Sequence, residues 1–241
     1  MTLNLKGKTA LVTGGTRGIG RAVAERLLVA GASVAVCGRT QEAVAAAVEE
    51  MSTQFSTGGL SVAGRAADVR NDVEVQALFQ WLDGMLGGLD ILVNNAGVGI
   101  FKDLAALQPD EWNTLIGTNL TGVYNCCHQA LPRMRARGGG WIVNISSLAG
   151  KNPFAGGAAY NATKFGLCGM SEAILLDHRY EGVKVSTVLP GSVSTDFGRA
   201  GKADWKIAPE DIAETVATIL GMPERTLISH VEVRPSRPPR K

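Results

Sequence analysis

Tyr160 and Lys164 stand four residues apart, and together they carry the most explicit chemistry in this sequence. Four residues is about one helical turn, so a phenol and an ammonium so spaced share a helix face. A phenol alone is a poor acid or base near neutrality, with an ordinary pKa of about 10, and a nearby ammonium favours its ionised form. Lys164 is therefore expected to tune Tyr160 for proton transfer. Reducing a ketone requires a hydride on carbon, a proton on oxygen, and stabilisation of the oxygen charge between them. Ser146 and Ser147 precede this pair and offer equivalent hydroxyls. Neighbouring side chains on a strand point oppositely, so only one of the two is expected to face a pocket.

A second chemical feature lies near the N-terminus, in Thr13-Gly14-Gly15-Thr16-Arg17-Gly18-Ile19-Gly20. It follows a short apolar run and precedes a segment of helical spacing. A tight strand-to-helix turn needs residues free to take positive φ, and a missing Cβ lets the main chain approach a pyrophosphate at the positive end of the helix. Gly14, Gly18 and Gly20 suit those roles, with Thr16 and Ile19 in the same turn; mere packing is the competing reading of a lone glycine turn. Arg39 stands 19 residues beyond Gly20, where a site for NAD(H) usually carries a carboxylate. A carboxylate binds ribose hydroxyls and repels a 2′-phosphate, whereas a guanidinium offers a planar fork to that phosphate. Arg39, assisted by Arg17, thus points to NADP(H) as the preferred cofactor, with NAD(H) still possible. Asp68, followed by Val69, is placed either to accept from an adenine amine or to cap the next helix.

With these residues in view the chain resembles the short-chain dehydrogenase/reductase family. Five motifs occur in the family's order: the 13–20 glycine turn; Asn94-Asn95-Ala96-Gly97; Asn119; Ser147 with Tyr160-Asn161-Ala162-Thr163-Lys164; and Pro190-Gly191-Ser192-Val193-Ser194-Thr195. Ser147 and Tyr160 are 13 residues apart, the family's spacing, and it is this that selects Ser147 over Ser146. The resemblance implies a catalytic set of Asn119, Ser147, Tyr160 and Lys164. In it Tyr160 is the acid/base, Ser147 holds the substrate oxygen, Lys164 bonds the nicotinamide ribose, and Asn119 supports a water path to the lysine. It implies further cofactor contacts from Asn95, Ala96 and Gly97, and from Pro190, Gly191, Val193 and Thr195, the last two near the carboxamide. Asn94 is equally read as a residue that holds the sheet together. The implied activity is hydride transfer between nicotinamide and a ketone or secondary alcohol. Within the family, 3-oxoacyl-carrier-protein reductases are a natural comparison, but the ending 228–235 departs from the glycine pair many of them carry. Family resemblance also implies a homodimer or homotetramer, paired through the helical segments 110–137 and 159–180.

Elements able to hold these residues are legible as seven β-branched runs, at 9–13, 33–38, 60–66, 89–94, 141–146, 183–189 and 227–233, separated by helical spacing. The runs are almost continuously apolar, as in Ala10-Leu11-Val12 and Ile91-Leu92-Val93, which fits strands covered on both faces. The expected class is α/β, one doubly wound Rossmann domain whose seven-stranded parallel sheet is flanked by helices. Residues 1–233 form that domain, and 234–241 read as an extended basic, proline-rich tail, solvated or touching a subunit. Asn119 falls inside the long helical segment 110–137, where on spacing alone it reads as an exposed helix residue. Substrate walls are expected from Val98, Ile100, Phe101, Leu148 and Phe154, and from Phe197, Trp205 and Ile207 after Thr195, with core packing an equal claim on the first five.

The composition narrows the function classes. With 24 basic and 22 acidic residues the net charge is +2, which pulls the chain toward neither nucleic acid nor an anionic membrane. Four of those bases lie in the tail, so the remainder holds 20 bases against 22 acids. No run of 18 apolar residues exists, so no membrane span is expected. Four cysteines without C-x-x-C spacing, and no secretory signal at the start, point to a reducing, cytoplasmic compartment. Consecutive Cys126-Cys127-His128 would project about 100° apart on a helix, so no metal site is expected there. His178 and His230 read as surface or packing residues, and Ser147 lacks the flanking glycines of a hydrolase elbow. The expected partner is a small carbonyl or alcohol. In a different class stands a non-catalytic dinucleotide sensor using the basic tail, which the intact catalytic set disfavours.

Overall fold

The computed structural model describes residues 3–55, 61–197 and 203–239. Its strands are β1 (Thr9–Thr13), β2 (Ser33–Gly38), β3 (Val62–Ala66), β4 (Ile91–Asn94), β5 (Gly140–Ile145), β6 (Val183–Pro190) and β7 (His230–Val233). Between them run α1 (Gly18–Val29), α2 (Gln41–Gln54), α3 (Asp72–Leu86), α4 (Pro109–Ile116), α5 (Gly122–Ala136), α6 (Ala158–His178) and α7 (Pro209–Leu220). The strands form one parallel sheet in the order β3-β2-β1-β4-β5-β6-β7. From β1 the chain winds outward through β2 and β3, then returns to start again at β4. The crevice between the carboxyl ends of β1 and β4 is thus the switch point where ligands bind folds of this type.

Alternation along each strand sorts its side chains between two helical layers. Ala10, Val12, Val34, Val36 and Val143 pack with Val23 and Leu27 of α1, Met51 of α2 and Val216 of α7. Leu11, Ala35, Leu92 and Ile142 pack with Leu78, Phe79 and Leu82 of α3, Ala130 of α5 and Leu167 of α6. Both faces are dry, which is why the strands read as unbroken apolar runs rather than as alternating ones.

Several expected boundaries shift. β3 begins at Val62 rather than at Leu60, which lies outside the described residues. β7 begins at His230 rather than Leu227, whose side chain packs against the helices. β4 begins at Ile91, because Asp90 is taken up by Thr9, Lys8 and Arg137 in an ion cluster below the strand. The helical segment expected at 110–137 is interrupted by one π-helical turn at Gly117–Thr121. That turn rotates Asn119 inward, where it is buried rather than exposed.

One polar ladder crosses the sheet. Asn94 Nδ2 donates to Asn144 Oδ1 at 2.8 Å, directly across the β4–β5 register, and Asn144 Nδ2 donates to Ser171 Oγ of α6 at 2.8 Å. Asn94 therefore holds strands together, the structural one of its two expected roles. All three residues are buried. Asn94→Leu should cost about 1–3 kcal/mol by leaving the Asn144 carbonyl unpaired, measured as a lower urea midpoint with the folded circular dichroism spectrum retained.

Candidate active site

The carboxyl ends of the strands open into one cleft of about 1260 Å³. That exceeds the roughly 300–1,000 Å³ of a pocket for a single drug-sized ligand. It is lined by Gly14, Thr16, Arg17, Gly18 and Ile19 from the glycine turn, and by Arg39, Asp68 and Val69 from the β2 and β3 ends. Asn95, Ala96, Gly97, Ser147, Tyr160, Lys164, Pro190, Gly191, Val193 and Thr195 complete the expected residues that reach it. Of the expected catalytic and cofactor-binding residues, Gly20 and Asn119 do not line it.

At the β1–β4 end the glycine turn is clamped from the neighbouring strand. Thr13 Oγ1 accepts from the Asn95 and Ala96 amides at 3.0 Å each, and Asn95 Nδ2 donates to the Thr13 and Gly14 carbonyls at 3.0 Å. Gly14 (φ +62°) and Gly18 (φ +57°) adopt left-handed backbone that other residues avoid. Gly20 faces inward, where any Cβ would collide with the Gly14 carbonyl and the Asn95 amide, so it serves the clamp rather than the cleft.

The start of α1 differs from those of α2, α3, α4 and α7. Thr40 caps α2, Asn71 caps α3, and Glu111 and Asp211 accept from the amides that open α4 and α7. α1 has no side-chain cap and no acidic residue in its first turn. Its free amides and positive dipole end therefore face the cleft unneutralised, an arrangement suited to an anionic phosphate group. Arg17 and Arg39 are exposed at this rim and, among the described residues, form no ion pair. Asp68 does not cap α3, since Asn71 does; its carboxylate takes the Arg70 guanidinium, which holds its pKa below the ordinary range, and Arg39 adds in the same direction. The donor set at this end fits a dinucleotide with an additional phosphate.

At the other end α6 packs on β6 and on the short helical turn Leu148–Gly150 that follows β5. Lys164 is buried and its Nζ donates to the Ile145 carbonyl at 3.0 Å. One turn earlier Tyr160 is buried beside Phe101, whose ring meets it edge-on with centroids 5.2 Å apart, and beside Phe197 and Phe154 at 6.2 and 6.4 Å. Ser147 stands close enough to the Tyr160 phenol to lower its pKa, while Ser146 turns toward α6 and meets the Lys164 carbonyl and Cys168 Sγ at 3.4 Å each. Both serines line the cleft, against the expectation that only one would face it, and Ser147 is the one beside the phenol.

Electrostatics here depart from expectation. Burial raises the Tyr160 pKa, and the Ser147 hydroxyl offsets only part of that rise. The lysine nitrogen stands 5.8 Å from the phenol ring centre and is aimed at Ile145, so desolvation prevails over cation assistance. Burial likewise lowers Lys164, from its ordinary 10.5 to about 8. Asn119 also departs from its expected place: Oδ1 accepts from the Val98 amide at 2.8 Å, and Nδ2 donates to the Val98 carbonyl at 2.9 Å and to Thr163 Oγ1 at 3.2 Å. It pins the strand-to-loop turn after β4 to α6, and no hydrogen bond joins it to Lys164.

Of the expected walls, Val98, Phe101, Leu148, Phe154, Phe197 and Trp205 line the cleft. Ile100 instead packs with Leu115 and Ala159, and Ile207 enters the core through its bridge with Val193. Missed altogether were Arg234, Pro235, Pro238 and Pro239, which return along the cleft instead of leaving as a tail; Arg240 and Lys241 lie outside the described residues. A signal existed. A strand parallel to its neighbours at the sheet edge must end at the ligand rim, so whatever follows β7 emerges there. His178 and His230 each face a single carboxylate, Glu181 and Glu172, away from the cleft. Among the described residues no helix is long and apolar enough to cross a membrane.

Comparison with known proteins agrees with this geometry. The short chain dehydrogenase family model matches residues 8–205. The 3-oxoacyl-acyl-carrier-protein reductase FabG of Vibrio harveyi is 36% identical over 239 residues, covering 94% of this chain and 95% of that protein. A 3beta-hydroxysteroid dehydrogenase of Mediterraneibacter gnavus is 38% identical over 207 residues, covering 86% and 73%. Among solved structures, a metagenomic short-chain oxidoreductase in complex with NADP superposes with a TM-score of 0.84 at 38% identity, covering 97% of this chain and 99% of the other. The alcohol dehydrogenase of the archaeon Thermococcus sibiricus, complexed with 5-hydroxy-NADP, does so with a TM-score of 0.89 at 26% identity over the same shares. A match across most of the chain, joined to a parallel seven-stranded sheet with a tyrosine, a lysine and a serine gathered at its carboxyl edge, places this protein in the short-chain dehydrogenase family of oxidoreductases.

Proposed function

We propose that the protein is an NADP(H)-dependent carbonyl reductase, or its reverse, acting on a ketone and secondary alcohol with Tyr160 as general acid/base. The observation that carries this reading is the buried Tyr160 phenol beside Ser147, flanked by the Phe101, Phe154 and Phe197 rings at one end of a cleft whose other end holds an uncapped helix and two arginines that form no ion pair among the described residues. The bound nicotinamide supplies the hydride. Arg39 and Arg17 hold the 2′-phosphate, and the first turn of α1 with Gly14 and Gly18 receives the pyrophosphate. Val193 and Thr195, on the rim after β6, orient the carboxamide end. Ser147 donates to the substrate oxygen while Tyr160 delivers the proton. Lys164, held by Ile145, keeps a positive charge beneath the ribose side of the chamber. Asn119 acts through Val98 and Thr163 as a positioning residue. The solved relatives bound to NADP support the cofactor assignment.

A second reading is a 3-oxoacyl group carried on a protein thioester, favoured by the end-to-end likeness to FabG. Comparing a free ketone with a carrier-linked 3-oxoacyl thioester at equal concentration separates the two.

Tyr160→Phe should lower kcat for ketone reduction about a thousandfold, equivalent to roughly 4 kcal/mol of transition-state stabilisation. NADPH oxidation followed at 340 nm measures it, with calorimetry verifying that NADPH still binds; unchanged turnover would remove the phenol from the mechanism. Arg39→Asp should weaken NADPH by about 1.5–3 kcal/mol, the worth of a charged hydrogen bond, and leave NADH binding no weaker, so the ratio of the two dissociation constants reports the site.

Lys164 yields a pH-dependent prediction. Its folded-state pKa, about 8, lies below the ordinary 10.5, so the unfolded chain binds the extra proton throughout that interval. The cost of burying the cation is therefore fully present below pH 8, on the order of 3 kcal/mol, and is relieved as pH rises toward 10.5. Lys164→Met should abolish activity yet unfold at a higher urea midpoint than the wild type at pH 7, with the difference shrinking by pH 10. Equal midpoints at both values would mean that the amine is not under this strain.

A further inference from the structure

The end of the chain occupies a place that the proposed chemistry does not explain. β7 pairs with β6 in parallel, Val233 opposite Pro190, and the Gly191 amide donates to the Val233 carbonyl at 2.7 Å. The backbone thus leaves β7 beside Pro190 and Gly191, where β6 opens into the cleft. Pro235 then lies so close to Gly191 that a Cβ there would stand 3.0 Å from Pro235 Cδ and 3.1 Å from Leu148 Cδ1. Leu148 directly follows Ser147, so Pro235 sits one residue layer from the catalytic serine. Beyond it Pro238 and Pro239 continue along the same cleft.

An ion-pair chain pins this segment. Glu232 Oε1 accepts from Lys151 Nζ at 2.6 Å, and Glu232 Oε2 accepts from the Arg234 guanidinium at 2.6 and 3.1 Å. Lys151 closes the short helical turn Leu148–Gly150 that follows Ser147. The start of the segment is therefore tied to the loop that carries the serine. Three prolines fix φ and have few alternative states, so the segment loses little entropy on being held and yields little to a ligand pressing on it. What it presents to the cleft is the Arg234 side chain, held by Glu232, and three pyrrolidine rings. Phe101, Phe154, Phe197 and Trp205 present aromatic surface to the same space.

We infer that residues 234–239 form an intramolecular wall across the substrate end of the cleft, which admits compact, uncharged ring-bearing ketones and turns away acyl groups that extend to a carrier protein. The inference rests on the carbonyl-reductase reading and refines its substrate class. An extended thioester must leave the chamber toward solvent, and the proline wall with its ion-pair pin stands across the β6–β7 side of that exit. A flat alicyclic or aromatic body needs no such exit and gains apolar contact on both sides.

The test compares kcat/KM for cyclohexanone-type and aryl ketones with that for a long-chain 3-oxoacyl thioester, in the full chain, in a chain ending after Arg234, and in Glu232→Gln. The full chain should prefer the compact ketones. Ending the chain after Arg234 should raise the thioester's kcat/KM relative to the ketone's by about tenfold or more, the range over which pocket fit discriminates. Glu232→Gln, which keeps the prolines but releases the pin, should move the ratio in the same direction by a smaller factor. NADPH affinity, read by calorimetry, should be unchanged in both variants, since neither alters the arginine end. An unchanged ratio in the shortened chain with NADPH binding intact, or a parallel loss for both substrates, overturns the wall. If the full chain binds NADPH but reduces neither substrate, the functional reading fails separately. Calorimetric affinities of the same two compounds for the NADP⁺-loaded chains must then show the tenfold shift, or the wall falls too.

Discussion

Lys164 Nζ meets the Ile145 carbonyl at 3.0 Å, and the rest of the reactive end is set by that bond. Ile145 is the last residue of β5, so its carbonyl sits where the strand gives way to the Ser146-Ser147 turn. Fixing α6 to that point places Tyr160, one turn back along the helix, over Ser147, two residues on along the chain. A different crossing of α6 would carry the phenol away from the serine even with every residue retained. The bond is buried, which makes it strong and also makes an unpaired lysine there costly. Burial penalises the cation at the same time, and the Ile145 carbonyl stands in place of water at its head. The surrounding core of Leu167, Ile142 and Val185 is what makes that replacement dry.

At the nucleotide end the governing constraint is backbone polarity rather than a buried charge. β1 cannot run into α1 so tightly unless Gly14 and Gly18 take left-handed φ, and the turn's carbonyls must then find donors. Asn95 supplies them from the next strand, and Thr13 returns the exchange by accepting two of its neighbour's amides. These reciprocal bonds close β1 onto β4 at the point where the sheet's winding reverses. The amides left over are those at the start of α1, and they point into the cleft. The uncapped start of α1 is thus what remains once these bonds are made.

Much of this was legible in the residues. Continuous apolar runs gave parallel strands because both faces of the sheet are covered, and the types at positions 14, 18 and 39 followed from what a dinucleotide demands. Three things were not legible. Helical spacing from 110 to 137 says nothing of a π-turn, since adding one residue to a single turn leaves the apolar pattern nearly intact; yet it is that turn that buries Asn119. The phenol's titration could not be read from a four-residue interval either, because proximity along a helix face does not say where the ammonium points or how much water surrounds the ring. The proline-rich ending looked like a departing tail because its composition forbids further sheet pairing, and that part was sound. Where it went instead depended on the edge at which β7 ends.

The direction of the Tyr160 shift bears on how such a site divides its labour. A phenol whose pKa is raised by burial is held protonated across the neutral range, the state a proton donor needs when a carbonyl oxygen becomes an alkoxide. The same burial would hinder the reverse reaction, in which the phenolate must form first. Restoring balance requires positive charge close to the phenol oxygen, and Lys164 in this structure spends its nitrogen on Ile145 instead. Its pKa of about 8 leaves most of the cation present at neutral pH, so charge is available on the correct helix face but is not aimed at the phenol. A dinucleotide seated between them, with ribose hydroxyls that can accept from the lysine and donate onward, would let that charge act on the phenol without moving either helix. Desolvation thus favours the protonated phenol in this structure.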